Sequence, residues 1–169
     1  MKVVKDSMIL INLAKITLLE ASCDYFSKVI ISKGIFEESV IDGKNKGMED
    51  ALLIESVIKK GKIEVKNLRD KKLIKMINQF NIYGGEAESL ALYLQEKGDL
   101  LISDDYNLRK KKESVNAKII GSLSVILRLR KNNKIGKEKF LMSVNKMREI
   151  GWFSSSILDK VTIEGEKYG

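Results

Sequence analysis

The stretch Leu100-Leu101-Ile102-Ser103-Asp104-Asp105 joins a short apolar run to a pair of acids. The same arrangement opens the chain, where Val3-Val4 is followed closely by Asp6. Short apolar runs of this kind predict buried strands, and open parallel sheets place their ligand sites at the carboxyl ends of strands. We therefore expect acids from distant parts of the chain to meet at one edge of a sheet.

Strand-like and helix-like segments alternate along most of the chain. Further strands are predicted at residues 29–31, 62–65 and 118–120, with helical patterns between them. The clearest amphipathic helix is predicted from Glu86 to Glu96, where apolar residues recur at helical spacing. This alternation predicts an α/β fold, namely a three-layer α/β/α sandwich with a central parallel sheet.

Three local predictions concern the remaining segments. A helix that begins near Asp6 is expected to run to about Ala21. Asp42-Gly43 is expected to form a turn after residues 35–41. The tail, residues 136–168, is expected to form one or two helices packed on the core.

Composition limits the class of protein and the kind of site. The 169 residues are 44% hydrophobic and 32% charged, which is ordinary for one soluble globular domain. There is no histidine and only one cysteine, Cys23. An imidazole base, a His-ligated zinc and a Cys-rich zinc site are therefore all excluded, whereas a metal site built on oxygen ligands remains.

The chain has no sequence feature of a membrane or secreted protein. No apolar stretch approaches the roughly 20 residues that span a bilayer. The first residues do not resemble a secretory signal, because Asp6 precedes any long apolar core. Cys23 has no partner for an intrachain disulfide. We expect a cytoplasmic protein without a membrane segment.

The positive charge is concentrated in one region. The net charge is +8, but residues 109–148 contain 13 Lys and Arg against two Glu, a balance of +11 that leaves −3 for the rest. Such a region is either a solvated helical face or a phosphate-binding surface, and the sequence leaves both open.

Five acids at the edges of predicted elements form a candidate cluster: Asp6, Glu38, Glu86, Asp104 and Asp105. If they converge, each close pair repels by roughly 3 to 4 kcal/mol at about 4 to 5 Å and an effective dielectric near 20. Bound Mg²⁺ or Mn²⁺ would offset this repulsion, and both ions suit oxygen ligands. Because such an ion activates water and aligns a phosphate, the cluster predicts phosphodiester hydrolysis.

Some of these acids also have a purely local explanation. Asp6 could serve only as a helix N-cap, because Asp is a preferred residue at that position. Asp104-Asp105 could form an Asx turn after a strand. The sequence alone does not separate these explanations from a shared site.

Helical geometry divides two acidic pairs. Glu37 and Glu38 are adjacent and therefore point about 100° apart on a helix. Glu86 and Glu88 are two positions apart and point about 200° apart. Only one acid of each pair is expected to face a shared site.

Four segments, in this order along the chain, resemble motifs of the PIN-domain ribonuclease family. Val3–Ile16 resembles the opening strand and helix, in which an Asp ends the strand and a small hydroxyl residue follows. Ile35–Val40 resembles the segment with the second acid, and Gly85–Leu92 resembles the G-E-A-E helix start of one branch of the family. Leu100–Asp105, followed by Arg109, resembles the strand that ends in an acidic pair.

The resemblance covers about residues 1–130. Gly121-Ser122-Leu123 is similar to the turn after the last strand, and Gly151-Trp152-Phe153 in the tail is a weaker similarity. We therefore expect a single PIN-like domain over residues 1–169, with a helical extension over 131–169. The sequence departs from the family pattern at Ser32, where a proline is common, and at Lys5, where a small or polar residue is more usual. Neither departure replaces an acidic residue of the pattern.

The resemblance implies a metal-dependent site that cleaves RNA. The catalytic metal ligands that it implies are Asp6, Glu38, Glu86, Asp104 and, as a further or outer ligand, Asp105. The ion would be Mg²⁺ or Mn²⁺. Ser7 and Asn12 are expected to orient ligands by hydrogen bonding, and the basic stretch that begins at Arg109 is expected to hold the RNA backbone.

Many small stand-alone members of the family are VapC-like toxins that have an antitoxin. The resemblance therefore implies RNA, an antitoxin protein and a second copy of the chain as partners. A non-catalytic nucleic-acid-binding or regulatory protein of the same fold is the main rival function, with salt-sensitive binding but no cleavage. A receiver domain is disfavoured, because receiver domains place their acidic pair after the first strand.

Overall fold

A five-stranded sheet forms the centre of the protein, in a computed structural model that describes residues 1–169. The strands are β1 (Lys2–Lys5), β2 (Lys28–Ser32), β3 (Ile63–Lys66), β4 (Leu100–Ile102) and β5 (Ile119–Ile120). Their order is β3-β2-β1-β4-β5, and every neighbouring pair is parallel. Strand β1 is therefore central, with Val4 opposite Ile30 on one side and Leu101 on the other.

Helices connect these strands. They are α1 (Ser7–Lys15), α2 (Leu19–Tyr25), α3 (Lys33–Phe36), α4 (Gly43–Asn45), α5 (Glu49–Lys59), α6 (Lys72–Asn78), α7 (Gly84–Gln95), α8 (Tyr106–Lys110), α9 (Ser122–Lys131), α10 (Lys137–Ile150) and α11 (Ser155–Glu166), with a π-helical segment, Glu37–Asp42, between α3 and α4.

The sheet separates two hydrophobic cores, which confirms the predicted α/β/α sandwich. Val3 and Val4 are both fully buried, but Val3 belongs to a cluster of 28 buried residues and Val4 to a second cluster of 12. Successive side chains of a strand point to opposite faces, so the two clusters lie on opposite sides of the sheet. The larger cluster contains side chains of α1, α2, α5, α9, α10 and α11, and the smaller one contains side chains of α6, α7 and α8.

The first helix is shorter than predicted. Helix α1 ends well before Ala21, and α2 follows after a break of three residues. Thr17 has a φ of 57°, and the Leu18 N–H donates to the Leu13 carbonyl at 2.8 Å. This turn buries both Leu18 and Leu19. The residue with positive φ at this break is a threonine, although β-branched residues rarely adopt that conformation. Because neither glycine nor asparagine stands there, the sequence carried no signal for the end of the helix.

The predicted turn at Asp42-Gly43 is wrong. The chain stays helical through both residues, because the π-helical segment continues directly into α4, and the left-handed residue comes later at Gly47, with φ of 70°. Gly43 serves close packing instead, since a Cβ there would lie 2.8 Å from the Cβ of Ala51 in α5. Sequence patterns do not distinguish a packing glycine from a turn glycine.

The tail forms two helices, as predicted, and both belong to the larger core. Helices α10 and α11 pack against α9 and against each other. Phe140, Met147 and Leu158 are fully buried in the larger cluster. Gly165 permits this close packing, because a Cβ there would overlap the ring of Phe140. No helix in the structure combines the length and the apolar character needed to cross a membrane.

Candidate active site

Asp6 lies at the end of β1 and caps helix α1. Its backbone is extended, with φ of −82° and ψ of 173°, and Oδ1 accepts a hydrogen bond from the Ile9 N–H at 2.8 Å. The N-cap explanation is therefore correct, yet Asp6 also lines a pocket while being only 5% exposed. The cap fixes the orientation of a carboxyl group that faces the candidate site.

Asp104 follows β4, the neighbour of β1, and is held from two sides. Oδ1 accepts a hydrogen bond from the Ser122 N–H at 2.8 Å, and Oδ2 accepts one from the Asn12 side-chain amide at 3.4 Å. Gly121 leaves space for this carboxylate, because a Cβ there would lie 2.5 Å from Asp104 Oδ1. Asn12 thus contacts one of the candidate acids, and its orienting of a metal ligand stays a prediction.

Asp105 has a structural role as well as a place in the pocket. Its Oδ1 accepts a hydrogen bond from the Leu108 N–H at 2.6 Å, which caps helix α8. Its own N–H donates to Ser103 Oγ at 3.1 Å. Asp105 therefore has a local role, but as a helix N-cap rather than in the Asx turn considered from the sequence, while Asp104 is held by groups distant in sequence.

The structure separates Glu38 from Glu37. Glu38 lies on the π-helical segment and reaches toward the start of α7, with Oε2 3.3 Å from where a Cβ of Gly85 would be. Glu37 is 56% exposed along its side chain and forms an ion pair with Lys33 at 3.7 Å. Only Glu38 lines the pocket.

Glu86 and Glu88 also differ in position. Helix α7 begins at Gly84, which has φ of 60°, two residues before the predicted start, so Glu86 lies in the first helical turn. Glu86 lines the pocket, whereas Glu88 packs against Gly34, where a Cβ would lie 2.7 Å from the Glu88 Cδ. Gly34 therefore accommodates Glu88 outside the candidate site.

All eight residues expected in the site line one open pocket of about 650 Å³. They are Asp6, Ser7, Asn12, Glu38, Glu86, Asp104, Asp105 and Arg109. Ion pairs join acids and bases elsewhere in the protein, but none involves the five pocket acids. None of these carboxylates is therefore ion-paired, although Arg109 lines the same pocket.

The shared pocket changes the protonation of Asp6. Burial is the main cause that raises the pKa of Asp6 from 3.8 to about 7, and the negative charges of Asp104 and Glu86 act in the same direction. Hydrogen bonds from Ser103 and the Ile9 N–H act in the opposite direction. A cation at this position would compete with the proton on Asp6 near neutral pH.

The five acids do not form a compact metal cage in this conformation. No three acidic side chains lie close enough together to hold a metal ion. The donor set nevertheless fits Mg²⁺ or Mn²⁺, because every candidate ligand is a carboxylate and none is ion-paired. Hydrogen bonds hold the carboxylates of Asp6 and Asp104, whereas the longer side chains of Glu38 and Glu86 make no such bond and have more rotamers open to them.

The basic stretch contributes one residue to the pocket. Of residues 109–148, Arg109 alone lines it. Other cations of the stretch hold the tail in place: Arg130 donates to the carbonyl of Tyr168, and Lys131 lies 5.5 Å from the centre of the Tyr168 ring. The positive charge counted in the sequence is therefore divided between the pocket, the tail contacts and solvent.

The sequence did not predict the apolar side of the pocket. Seven further residues complete its lining: Met8, Gly85, Tyr106, Trp152, Phe153, Ser154 and Ile157. Exposed aromatic residues leave no periodic pattern that would identify them. The one available signal was the family resemblance at Gly151-Trp152-Phe153.

The comparison of the sequence with known protein families agrees with the fold. Residues 2–164 match a family model described as a PIN domain. No curated protein and no solved structure matches the chain. PIN domains are generally nucleases, usually dependent on divalent metal ions. Because the match extends over almost the whole chain, tail helices included, this protein belongs to the PIN-domain family.

Proposed function

We propose that this protein is a metal-dependent endoribonuclease that hydrolyses phosphodiester bonds of RNA. The observation that carries the proposal is that five acids, none of them ion-paired, share one pocket, with Asp6 and Asp104 following the adjacent strands β1 and β4. Family membership supports nuclease chemistry. The choice of RNA rests on the resemblance of the motifs to PIN-domain ribonucleases.

The acids of the pocket would hold Mg²⁺ or Mn²⁺. The proposed ligands are Asp6, Glu38, Glu86 and Asp104, with Asp105 as a further or outer ligand. When bound, the ion would supply a water of lowered pKa and neutralise charge on the phosphate. Asn12 and the Ser122 N–H keep Asp104 oriented, and Arg109, which has no acidic partner, is free to bind a phosphate oxygen.

Cleavage of an RNA pool with and without Mn²⁺ tests the proposal. Removing a residue that only supports a metal ligand lowers metal affinity or activity by about 10- to 100-fold. Asp6→Asn changes a proposed ligand itself, so we expect it to lower the cleavage rate by at least about 100-fold. Equal, metal-independent cleavage by wild type and Asp6→Asn would overturn the proposal.

The two adjacent glutamates provide a matched pair of variants. Glu38→Gln and Glu37→Gln remove the same charge at neighbouring positions, but only Glu38 lines the pocket. We expect Glu38→Gln to lose cleavage and Glu37→Gln to keep it. Circular dichroism on each variant checks that the fold is unchanged.

We further propose, from the same resemblance, that the protein is the toxin of a toxin–antitoxin pair and forms a homodimer. Half-exposed apolar side chains at Leu52 and Leu53 of α5, and at Met48 just before it, are compatible with a protein partner on this surface. Expression of wild type is expected to arrest growth of a bacterial host, whereas expression of Asp6→Asn is not.

Light scattering tests the homodimer. It should give twice the 19.1 kDa of one chain, and a monomer mass would contradict the dimer.

Nucleic-acid binding without cleavage is the second candidate function. The observation that favours it is that no three acids lie close enough to hold a metal ion in this conformation. This function predicts RNA binding that weakens steeply with salt and no cleavage with Mg²⁺ or Mn²⁺. The cleavage assay, accompanied by binding measurements at two salt concentrations, decides between the two functions.

A further inference from the structure

Two exposed aromatic side chains border the acidic pocket. Trp152 is 95% exposed and Tyr106 is 77% exposed, and both line the pocket that contains Asp6 and Asp104. Large aromatic side chains usually bury most of their surface, so two exposed rings beside a candidate active site point to a ligand that covers them.

The loop that carries Trp152 is held at both ends. The Gly151 N–H donates to the Met147 carbonyl at 2.9 Å at the end of α10, and Ser154 caps α11 with its side-chain oxygen. Between these two points, Phe153 packs against the larger core. The neighbouring Trp152 therefore projects into solvent from a loop whose position is fixed by the core.

Unpaired nucleobases match the chemistry of this side of the pocket. A base offers a flat π face that stacks on aromatic rings, and the half-exposed side chains of Met8 and Ile157 extend the apolar surface. The phosphate attached to such a base would lie toward the acids and Arg109. Bases within a duplex have their faces covered by neighbouring pairs, so a duplex does not offer them to Trp152.

We propose that Trp152, with Tyr106, forms a platform on which an unpaired nucleobase stacks beside the acidic pocket. The proposal relies on the proposed nuclease function only for the position of the phosphate, because stacking does not require cleavage. Stacking on one aromatic side chain changes affinity by roughly 5- to 150-fold per base.

The single tryptophan of the chain makes stacking directly observable. Because Trp152 is the only tryptophan, the intrinsic tryptophan fluorescence of the full chain reports on this residue alone. The probe is a ten-nucleotide 2′-O-methyl oligonucleotide of unstructured sequence, with Ca²⁺ in place of Mg²⁺ or Mn²⁺. We expect it to quench the fluorescence, and we expect an abasic oligonucleotide of equal length, or the same sequence as a duplex, to quench it much less.

Variants separate stacking from general apolar contact. Fluorescence anisotropy of the labelled oligonucleotide should show about 5- to 150-fold weaker binding for Trp152→Ala, and near wild-type binding for Trp152→Phe, which keeps an aromatic face. Trp152→Leu keeps an apolar side chain without a π face and should resemble Trp152→Ala. Met142→Ala is the control, because Met142 is 60% exposed on α10 and does not line the pocket.

The outcomes distinguish this inference from the proposed function. Quenching and variant effects without any RNA cleavage would support the platform and contradict the nuclease. Cleavage with equal KM and equal strand preference in wild type and Trp152→Ala would overturn the platform and leave the nuclease. Absence of quenching with every oligonucleotide would also overturn it, and would leave the exposed rings as a contact surface for a protein partner.

Discussion

Among single residues, Lys5 is the charged side chain in the least favourable surroundings. It is fully buried, and its Nζ donates to Ser22 Oγ at 2.5 Å and lies 3.6 Å from Cys23 Sγ. Burial lowers the pKa of Lys5, because no carboxylate offsets the loss of water around its charge. Replacing even a buried ion pair by well-packed apolar side chains often stabilises a protein by about 1 to 4 kcal/mol, and Lys5 has no ion-pair partner to offset its burial. Lys5→Met is therefore expected to raise the free energy of unfolding by that amount in urea titrations at pH 7.

An exposed lysine gives the control for this prediction. Lys28 is nearly half exposed and pairs with Glu64 at 3.2 Å, so Lys28→Met should change the free energy of unfolding by no more than about 0.5 kcal/mol. A Lys5→Met protein that is clearly less stable than wild type would show that the hydrogen bonds of Lys5 outweigh the cost of burying its charge.

Individual acids were only partly predictable from the sequence. Helical geometry required that one acid of each pair, Glu37 or Glu38 and Glu86 or Glu88, turn away from the site. It did not say which one, because that depends on where α3 and α7 lie relative to the sheet. The resemblance selected Glu38 and Glu86, and the structure places these two in the pocket.

At the scale of elements, two glycines at helix N-termini provide a test of how Asp104 is positioned. Gly121 caps α9 and Gly136 caps α10, both with extended backbones that any residue adopts. A Cβ on Gly121 would lie 2.5 Å from Asp104 Oδ1, whereas a Cβ on Gly136 would meet nothing within 4 Å. Gly121→Ala is expected to displace Asp104 and to lower RNA cleavage by roughly 10- to 100-fold, while Gly136→Ala keeps wild-type activity.

Thermal unfolding of both glycine variants distinguishes displacement from misfolding. Gly121→Ala should unfold within a few degrees of wild type, because the added Cβ would meet only the side chains of Asp104 and Arg109, both in the pocket. Full cleavage activity in Gly121→Ala would contradict the role assigned here to the space beside Gly121.

Helix α7 is tied to the sheet edge by Glu96, and this contact depends on pH. Glu96 is nearly buried and pairs with Lys66 at 2.7 Å and Arg69 at 3.0 Å. The hydrogen bond from Lys66 is the main cause that lowers the pKa of Glu96 to about 2. Because its folded pKa lies below the unfolded value of 4.5, the stabilisation is complete above pH 4.5 and is lost as the pH falls toward 2.

Glu96→Gln measures this contribution. The variant is expected to be less stable than wild type at pH 7 by about 1 to 2 kcal/mol, since both cationic partners are partly exposed. Urea titrations at pH 7 and pH 3 should show the difference shrinking at the lower pH. A difference that is unchanged at pH 3 would mean that Glu96 acts through packing rather than through its charge.

The boundaries of helices and strands were predictable where polar and apolar residues alternate clearly. The predictions were wrong where tertiary packing determines the boundary. The predicted start of α7 at Glu86 lies two residues after the observed start at Gly84, which has a positive φ. The break after α1 depends on burying Leu18 and Leu19, which is a tertiary effect with no local signal. Both errors arise because local sequence does not encode which side chains reach the core.

For the whole molecule, the alternation of elements predicted a parallel sheet but not the strand order. That order places β4 beside β1, and it thereby brings Asp6 and Asp104 together although they are far apart in sequence. The tail was predicted to pack on the core, but not to supply a wall of the pocket through Trp152 and Ile157. The missing information concerns contacts between distant segments, which one sequence does not contain.

Because none of the five pocket acids is ion-paired, we expect a bound cation to stabilise the whole fold. A cation bound only by the folded state stabilises it by about 2.7 kcal/mol at 100 times its dissociation constant, which raises the Tm of a chain of this size by roughly 5 to 10 °C. We expect Mn²⁺ to produce such a shift in wild type and in Glu88→Gln, whose altered side chain packs outside the pocket against Gly34. Glu86→Gln should lose most of the shift and, without metal, should unfold at or slightly above the wild-type temperature because one repelling charge is gone. Differential scanning fluorimetry over a range of Mn²⁺ concentrations measures all three proteins. Equal shifts in all three would place the bound ion somewhere other than the acidic pocket.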